Sequence, residues 1–549
     1  MRRALIPILG LGFVGQAFAF SASFDVREAT VAGIHNALFA GITTCRGVVS
    51  AFISRIEEFN PQINAIIALN PQALSVADDI DIRIASGNAT GALLCVPVLL
   101  KDNYDFAGMP TTGGSRVLAD NYPKGDAPTV RAMKDAGAII LGKANLHEFA
   151  LEGISASTLG GQTINPYDLA RTPGGSSGGS GAAIGANLAV IATGTDTVNS
   201  LRSPASANSL FSFRPTRGLI SRAGVIPVSY HQDTLGAMAR NPHDLAIALS
   251  VMASVGYDPR DNETASIPPD VVGKDYSASL HGSHLKGLRL GLLQGFINRT
   301  ASPETTPVND AMDAMVAHLT AAGAEVIPVA DALYDAPAIG ALDVQRFEYR
   351  ELLDEYLSRS SPDKSFHSIY SNLSGGGGPG DFLVLPSQYS YIRTAAVSST
   401  TDADYTARLR DIRNLTRHLQ ATFQTHDVDA LIYPEQRNLV VPLGSPSQAG
   451  RNGILAALTG HPVVVVPAGF STPTASAPIG VPVGMEILGR PWSDGFLLNV
   501  ARQIGELVPV RRMAPFANAS VEEVKSYEAV PVIRPDAGNI PAAYPLGVY

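Results

Sequence analysis

The sequence predicts an α/β fold, and three stretches carry that expectation. Ala92 to Leu100 is a continuous apolar run, the mark of a strand buried on both faces. Thr129 to Gly137 reads as a helix, and Ala138 to Gly142 reads as the next buried strand. Strand, helix and strand in succession indicate an α/β architecture. With 549 residues, 45% of them hydrophobic, the chain holds ample apolar material for a large core.

Before those elements, Asp25 to Asn70 has helical spacing, with Thr43 or Thr44 placed to cap the second helix. Lys101 sits where the first buried strand ends. Lys143 to Phe149 follows the second strand. His147 and Glu148 there invite a metal reading, but no second histidine lies at ligand spacing, so a surface or supporting role is expected and no metal. Tyr257 to Leu285 reads as a surface excursion, and Lys286 to Leu293 as a strand. Val308 to Gly323 reads as an amphipathic helix, and Ala324 to Val329 as a further strand. Regularity weakens between Asp331 and Asp404, where Ser374 to Gly380 is a glycine-rich loop without the Lys or Thr of a phosphate cradle. Pattern returns at Ala430 to Pro434, in the valines after His461-Pro462, at Gly480 to Gly484 and in a helix from Asp494 to Leu507.

The net charge of −9 comes without a basic block, so nucleic acid is not an expected partner. Residues 1–19 read as a secretory signal peptide. Arg2 and Arg3 precede an apolar run from Ala4 to Val14, and Ala17-Phe18-Ala19 offers a cleavage site after Ala19. A membrane anchor is the competing reading, and Pro7, Gly10 and Gly12 in a short run argue against it. No later run is long enough to span a bilayer. Residues 20–549 are then expected to form a single domain, secreted to the outside. Six N-x-S/T triplets fit that route: Asn88, Asn262, Asn298, Asn372, Asn414 and Asn518. The two cysteines, Cys45 and Cys95, could form one disulfide or stay as small buried hydrophobes.

The most informative stretch is Pro173 to Pro204, PGGSSGGSGAAIGANLAVIATGTDTVNSLRSP. Glycines 174, 175, 178 and 179 permit backbone angles that a side chain forbids. Small residues then allow close packing, so Ser176, Ser177 and Ser200 are delivered by structured elements. This stretch resembles the amidase signature family, whose pattern is a GGSSGG loop followed by GTDxGGS, an Arg and a Pro. The family's upstream lysine motif appears as Pro97-Val98-Leu99-Leu100-Lys101-Asp102-Asn103. Lys101 precedes Ser176 by 75 residues, and Ser176 precedes Ser200 by 24, both typical of the family. Asn60-Pro61-Gln62-Ile63-Asn64-Ala65, Arg214-Pro215-Thr216 and Asp233-Thr234-Leu235-Gly236 extend the resemblance, which covers roughly residues 29–507.

The resemblance implies a large mixed, twisted β-sheet core covered by helices on both faces. It implies a serine amidase without cofactor, acting on a small-molecule amide, and leaves room for a homodimer. Carried over residue by residue, Ser200 is the nucleophile, Ser176 the bridging serine on a cis peptide with Gly175, and Lys101 the terminal base and acid. Lysine serves as a base only when neutral, which a buried strand end favours. Backbone N–H groups of Thr197, Val198, Asn199 and Ser200 would receive the oxyanion. Ser177 would support them. Asp196 and Arg202 would pair or bond the turn's backbone. Here the sequence departs from the family, because Val198-Asn199 replaces Gly-Gly, and Val disfavours positive φ. Either the turn uses ordinary angles or the oxyanion site is altered, and the acyl pocket should narrow.

Three other readings stand beside this one. The same site could act as an esterase. Gly175-Ser176-Ser177-Gly178-Gly179 fits the G-x-S-x-G of an α/β-hydrolase, with Ser177 as nucleophile, but that elbow must follow a strand directly. A degenerate, non-catalytic binding protein is the third, motivated by Val198-Asn199. A role in tRNA-dependent transamidation is set aside on the signal peptide.

Overall fold

The computed structural model describes residues 24–282, 285–370 and 388–539. The signal peptide, the Asn372 triplet and the Ser374–Gly380 loop lie outside these described residues.

The strands are, in chain order, β1 (Ile66–Leu69), β2 (Pro97–Lys101), β3 (Ile139–Ala144), β4 (Ala156–Ser157), β5 (Gly161–Gln162) and β6 (Ile191–Asp196). They continue as β7 (Phe211–Arg214), β8 (Thr234–Ala239), β9 (Arg289–Leu293), β10 (Glu325–Val329), β11 (Ala430–Pro434), β12 (Val463–Phe470) and β13 (Pro482–Leu488). All but β4 and β5 join one 11-stranded sheet, ordered β1-β3-β2-β6-β8-β7-β12-β13-β11-β9-β10. The sheet is mixed: β2 runs parallel to both β3 and β6, whereas β8 lies antiparallel to β6 and β7. The central strands β2, β3, β6 and β8 are buried at every position, which explains why the stretches of β2 and β3 read as apolar runs rather than alternating ones. Helices Gly178–Gly185, Pro242–Ala253, Thr306–Ala321 and Asp494–Leu507 pack against the sheet. No helix among the described residues is long and apolar enough to cross a membrane.

Several expectations are corrected. The strand expected from Ala92 begins only at Pro97, because residues 91–96 turn around Ala136 and Gly137, with Cys95 at φ 59°. Cys95 is held there by a disulfide to Cys45, the first residue of helix Cys45–Ile63, with Cα atoms 5.7 Å apart. That resolves the open alternative for the two cysteines. Thr44 caps this helix by accepting from the N–H of Gly47. The irregular stretch after Asp331 holds helices Ala336–Gly340, Gln345–Ser360, Phe366–Tyr370 and Tyr389–Val397. The longest of these, QRFEYRELLDEYLSRS, is dominated by polar residues; Phe347, Tyr349, Leu353 and Leu357 supply its thin buried face.

Candidate active site

Lys101 is delivered by the carboxyl end of β2, the strand flanked by β3 and β6. The loop after it is pinned by a buried ion pair, Lys143 Nζ to Asp102 Oδ1 at 2.9 Å, and by a hydroxyl bond from Thr112 to Asp102. Asp102 of the lysine motif is therefore a structural anchor. Lys101 Nζ donates to Ser176 Oγ at 2.8 Å and to Thr195 Oγ1 at 2.7 Å. Both Lys101 and Ser176 are fully buried. Burial drives the Lys101 pKa down to about 7, against the opposing pull of Asp196 and Asp233.

The glycine-rich loop places Ser176 by close approach more than by unusual angles. The Gly175–Ser176 peptide is cis, and of the four loop glycines only Gly174 takes positive φ, at 73°. A Cβ at Gly179 would lie 2.2 Å from the Asn145 carbonyl oxygen and 2.5 Å from that of Ala65. A Cβ at Gly178 would sit 2.2 Å from Ser155 Oγ. The loop is further tied down by Ser155 Oγ donating to Gly174 O at 2.8 Å and by His147 N donating to Ser176 O at 2.9 Å. His147 and Glu148 are buried, which corrects the expected surface position and leaves the supporting one. Burial, then Arg451 and Lys101, lowers His147 to about 3, so the ring is neutral; burial raises Glu148 to about 7.

Ser200 stands at the turn after β6, nearly buried, and its carbonyl accepts from Ser177 N at 3.3 Å. Ser177 Oγ donates to Thr195 O at 3.3 Å, and the residues directly before it form no strand. The α/β-hydrolase elbow is thereby overturned: Ser177 stands at the loop-to-helix junction, with its hydroxyl given to the Thr195 carbonyl rather than to the helix. Asp196 and Arg202 pair, Nε to Oδ2 and Nη2 to Oδ1, both at 3.0 Å. Burial pushes Asp196 up, but Arg202 and Arg214 outweigh it and hold the carboxylate at about 2. Arg202 also meets Glu486 through Nη1 at 2.8 Å and bonds the carbonyl of Val198. Neither Val198 nor Asn199 takes positive φ, so the turn uses ordinary backbone angles. Thr197 Oγ1 donates to Asp233 at 2.6 Å, and Asn199 Nδ2 to Glu435 Oε1 at 2.8 Å.

A cavity of about 530 Å³ reaches Thr195 and Thr197, with Val225, Val228, Leu235 and Tyr356 in its wall. Sequence reasoning alone does not find Thr195, Asp233, Glu435 or Glu486. A fully buried charge inside the apolar run PVGMEIL is the available signal for Glu486.

A family model described as amidase matches residues 47–498. The peptide amidase of Stenotrophomonas maltophilia is 32% identical, with a TM-score of 0.77 over 89% of this chain and 99% of that one. An amidase family protein of Bacillus anthracis is 27% identical, with a TM-score of 0.75 over 89% and 92%. One component of the glutamyl-tRNA(Gln) amidotransferase of Alkalilimnicola ehrlichii is 34% identical over 514 residues, 89% of this chain and 99% of the relative.

Proposed function

The chain belongs to the amidase family, and on that footing we propose that it is a secreted serine amidase working through an acyl-enzyme on Ser200. The observation that carries the reading is the contact from Lys101 Nζ to Ser176 Oγ at 2.8 Å, in a buried site where the lysine loses its proton near neutrality. Neutral Lys101 takes the Ser176 hydroxyl proton as Ser176 takes that of Ser200, and Ser200 Oγ bonds to the amide carbonyl carbon. The carbonyl electron pair moves to oxygen, facing the N–H groups of residues 197–200. The oxyanion then collapses, the C–N bond breaks, and the proton returns through Ser176 to the leaving nitrogen. Water repeats the sequence on the ester, releasing acid and freeing Ser200. Asp196, Arg202 and Ser177 hold the turn and touch no reacting atom.

The likeness to a peptide amidase makes a peptide amide the substrate class to test first. Secretion is supported by the leader-like residues 1–19 and by the Cys45–Cys95 disulfide, a bond favoured in oxidising compartments. The same features weigh against a place in an amidotransferase. Asn88, Asn262, Asn414 and Asn518 are exposed, as glycan acceptors need, whereas Asn298 is half-buried.

The test is a panel of peptide amides, aryl amides and esters given to the mature protein and to Ser200→Ala. Loss of all turnover in the variant supports the reading; full retention overturns it. Ester turnover without amide turnover would favour the esterase reading of the same site.

A further inference from the structure

The turn from Asp196 to Ser200 has lost the two glycines of its family pattern, yet it keeps ordinary backbone angles. What holds it is a set of braces from outside. Gln232 Nε2 donates to Thr197 O at 3.1 Å, and Arg202 bonds Val198 O. Asn199 O accepts from the N–H groups of Arg202 and Ser203, at 2.9 and 2.8 Å. Thr197 Oγ1 donates to Asp233, and Asn199 Nδ2 donates to Glu435 Oε1 at 2.8 Å. Asn199 and Glu435 are both buried.

Glu435 is itself rigidly mounted. It follows β11, donates its N–H to Gly484 O at 3.1 Å, and accepts at its carbonyl from Asn452 N at 3.2 Å. Its second carboxyl oxygen, Oε2, is buried without a hydrogen-bond partner among the described residues. The nearby cation, Arg202, is committed to Asp196 and Glu486. A buried carboxyl held by an amide donor rather than a counter-ion is an expensive feature unless it has a task.

We propose that Glu435 is a positioning residue which fixes Asn199, and through it the oxyanion-binding turn, in place of the missing glycines. This inference rests on the amidase reading above. Glu435 contacts no reacting atom; it acts by keeping the N–H groups of Asn199 and Ser200 aimed into the site. Burial, then Glu486 beside it, pushes the carboxyl up from the usual carboxylate range. The groups facing it are Glu486, Asn199, Arg202, Gln436 and the ring hydroxyl of Tyr433. Glutamine at 435 has a matching acceptor oxygen and no charge; leucine has neither acceptor nor charge.

The experiment reads the rate at which a fluorophosphonate probe labels Ser200 in the full protein, from pH 7 to 9.5, with the labelled peptide mapped by mass. Probe addition builds the same oxyanion, so substrate identity is not needed. Glu435→Leu and Asn199→Ala should each slow labelling by about 10²-fold, the usual cost of misaiming a site by an ångström. Glu435→Gln, which keeps an acceptor oxygen at this position, should label within about 3-fold of wild type across the range. Asn199→Ala decides the matter should the leucine variant fail to fold. Labelling within about 3-fold of wild type in Asn199→Ala overturns the proposal, as does a glutamine variant as slow as the leucine one. Wild-type protein that labels elsewhere, or nowhere, overturns the amidase reading and the role of Glu435 with it.

Discussion

Lys101 Nζ donates to Ser176 Oγ at 2.8 Å, and neither side chain reaches solvent. Among the described residues no carboxylate forms a close ion pair with Lys101; its second acceptor is the hydroxyl of Thr195. A lysine held by two hydroxyls in a dry site is stabilised in its neutral form, and this is what a general base requires.

Activity should therefore follow the deprotonation of Lys101. The value of kcat/KM is expected to fall about tenfold per unit as pH drops below about 7. Stability moves with the same group. Its native pKa lies below the usual 10.5, so between about 7 and 10.5 the unfolded chain holds one proton more than the native one. Stability then rises with pH across that window. Chemical denaturation of wild type and Lys101→Met at pH 7 and 10 checks it: the difference should shift in favour of wild type at the higher pH.

Gly179 should tolerate no side chain. Its missing Cβ points at two backbone oxygens, of Asn145 and Ala65, and backbone cannot swing aside as a side-chain tip can. Gly179→Ala is expected to cost about 3 kcal/mol by overpacking, and to displace the loop that carries Ser176. Thermal unfolding and probe labelling of the variant should both register the change.

The disulfide closes a separation of 50 residues between the first turn of helix Cys45–Ile63 and the segment leading into β2. The chain-entropy relation gives about 4 kcal/mol for a loop of that size. Replacing both cysteines by alanine should lower the unfolding free energy by that order. Activity at 25 °C should persist, since Lys101 lies beyond Pro97, inside a strand paired on both sides. Mass spectrometry of alkylated, unreduced protein should find no modified cysteine.

Lys101, Ser176 and Ser200 are legible because each sits in a short motif with a fixed interval to the next. Strands β2 and β3 are legible too, since burial on both faces writes itself as a largely apolar run. Partners that arrive from far along the chain are not. Glu435 stands 236 residues from Asn199, and Glu486 stands 284 from Arg202, so no local pattern joins either pair. Thr195 is in plain view inside GTDT, but a hydroxyl that accepts from a lysine 94 positions earlier looks like any strand threonine. The glycines of the loop read as sources of unusual angles; three of the four serve close approach instead, a property of neighbours that sequence does not reveal. Gln345–Ser360 is hard to read because most of its side chains face outward or half-outward, leaving too few apolar positions to show a period.

Arg202 offers the sharpest test of how the turn is held. Its guanidinium bridges Asp196 and Glu486, both wholly buried, and bonds the carbonyls of Val198 and Gly453. Removing it strips Glu486 of its counter-ion, takes one of two from Asp196, and frees the turn before Ser200. Arg202→Leu should cost about 3–5 kcal/mol, the usual penalty for breaking a buried pair from one side. Arg214 still reaches Asp196 at 2.7 Å, so the larger change is expected at Glu486, which should take up a proton. Its pKa is already raised by burial, with Arg202 the chief opposing charge. The variant should therefore bind one proton more than wild type near neutrality and gain stability, relative to wild type, as pH falls. Denaturation curves at pH 5, 6.5 and 8 would show that convergence; a constant gap between the two proteins would mean that Glu486 is already protonated beside the arginine.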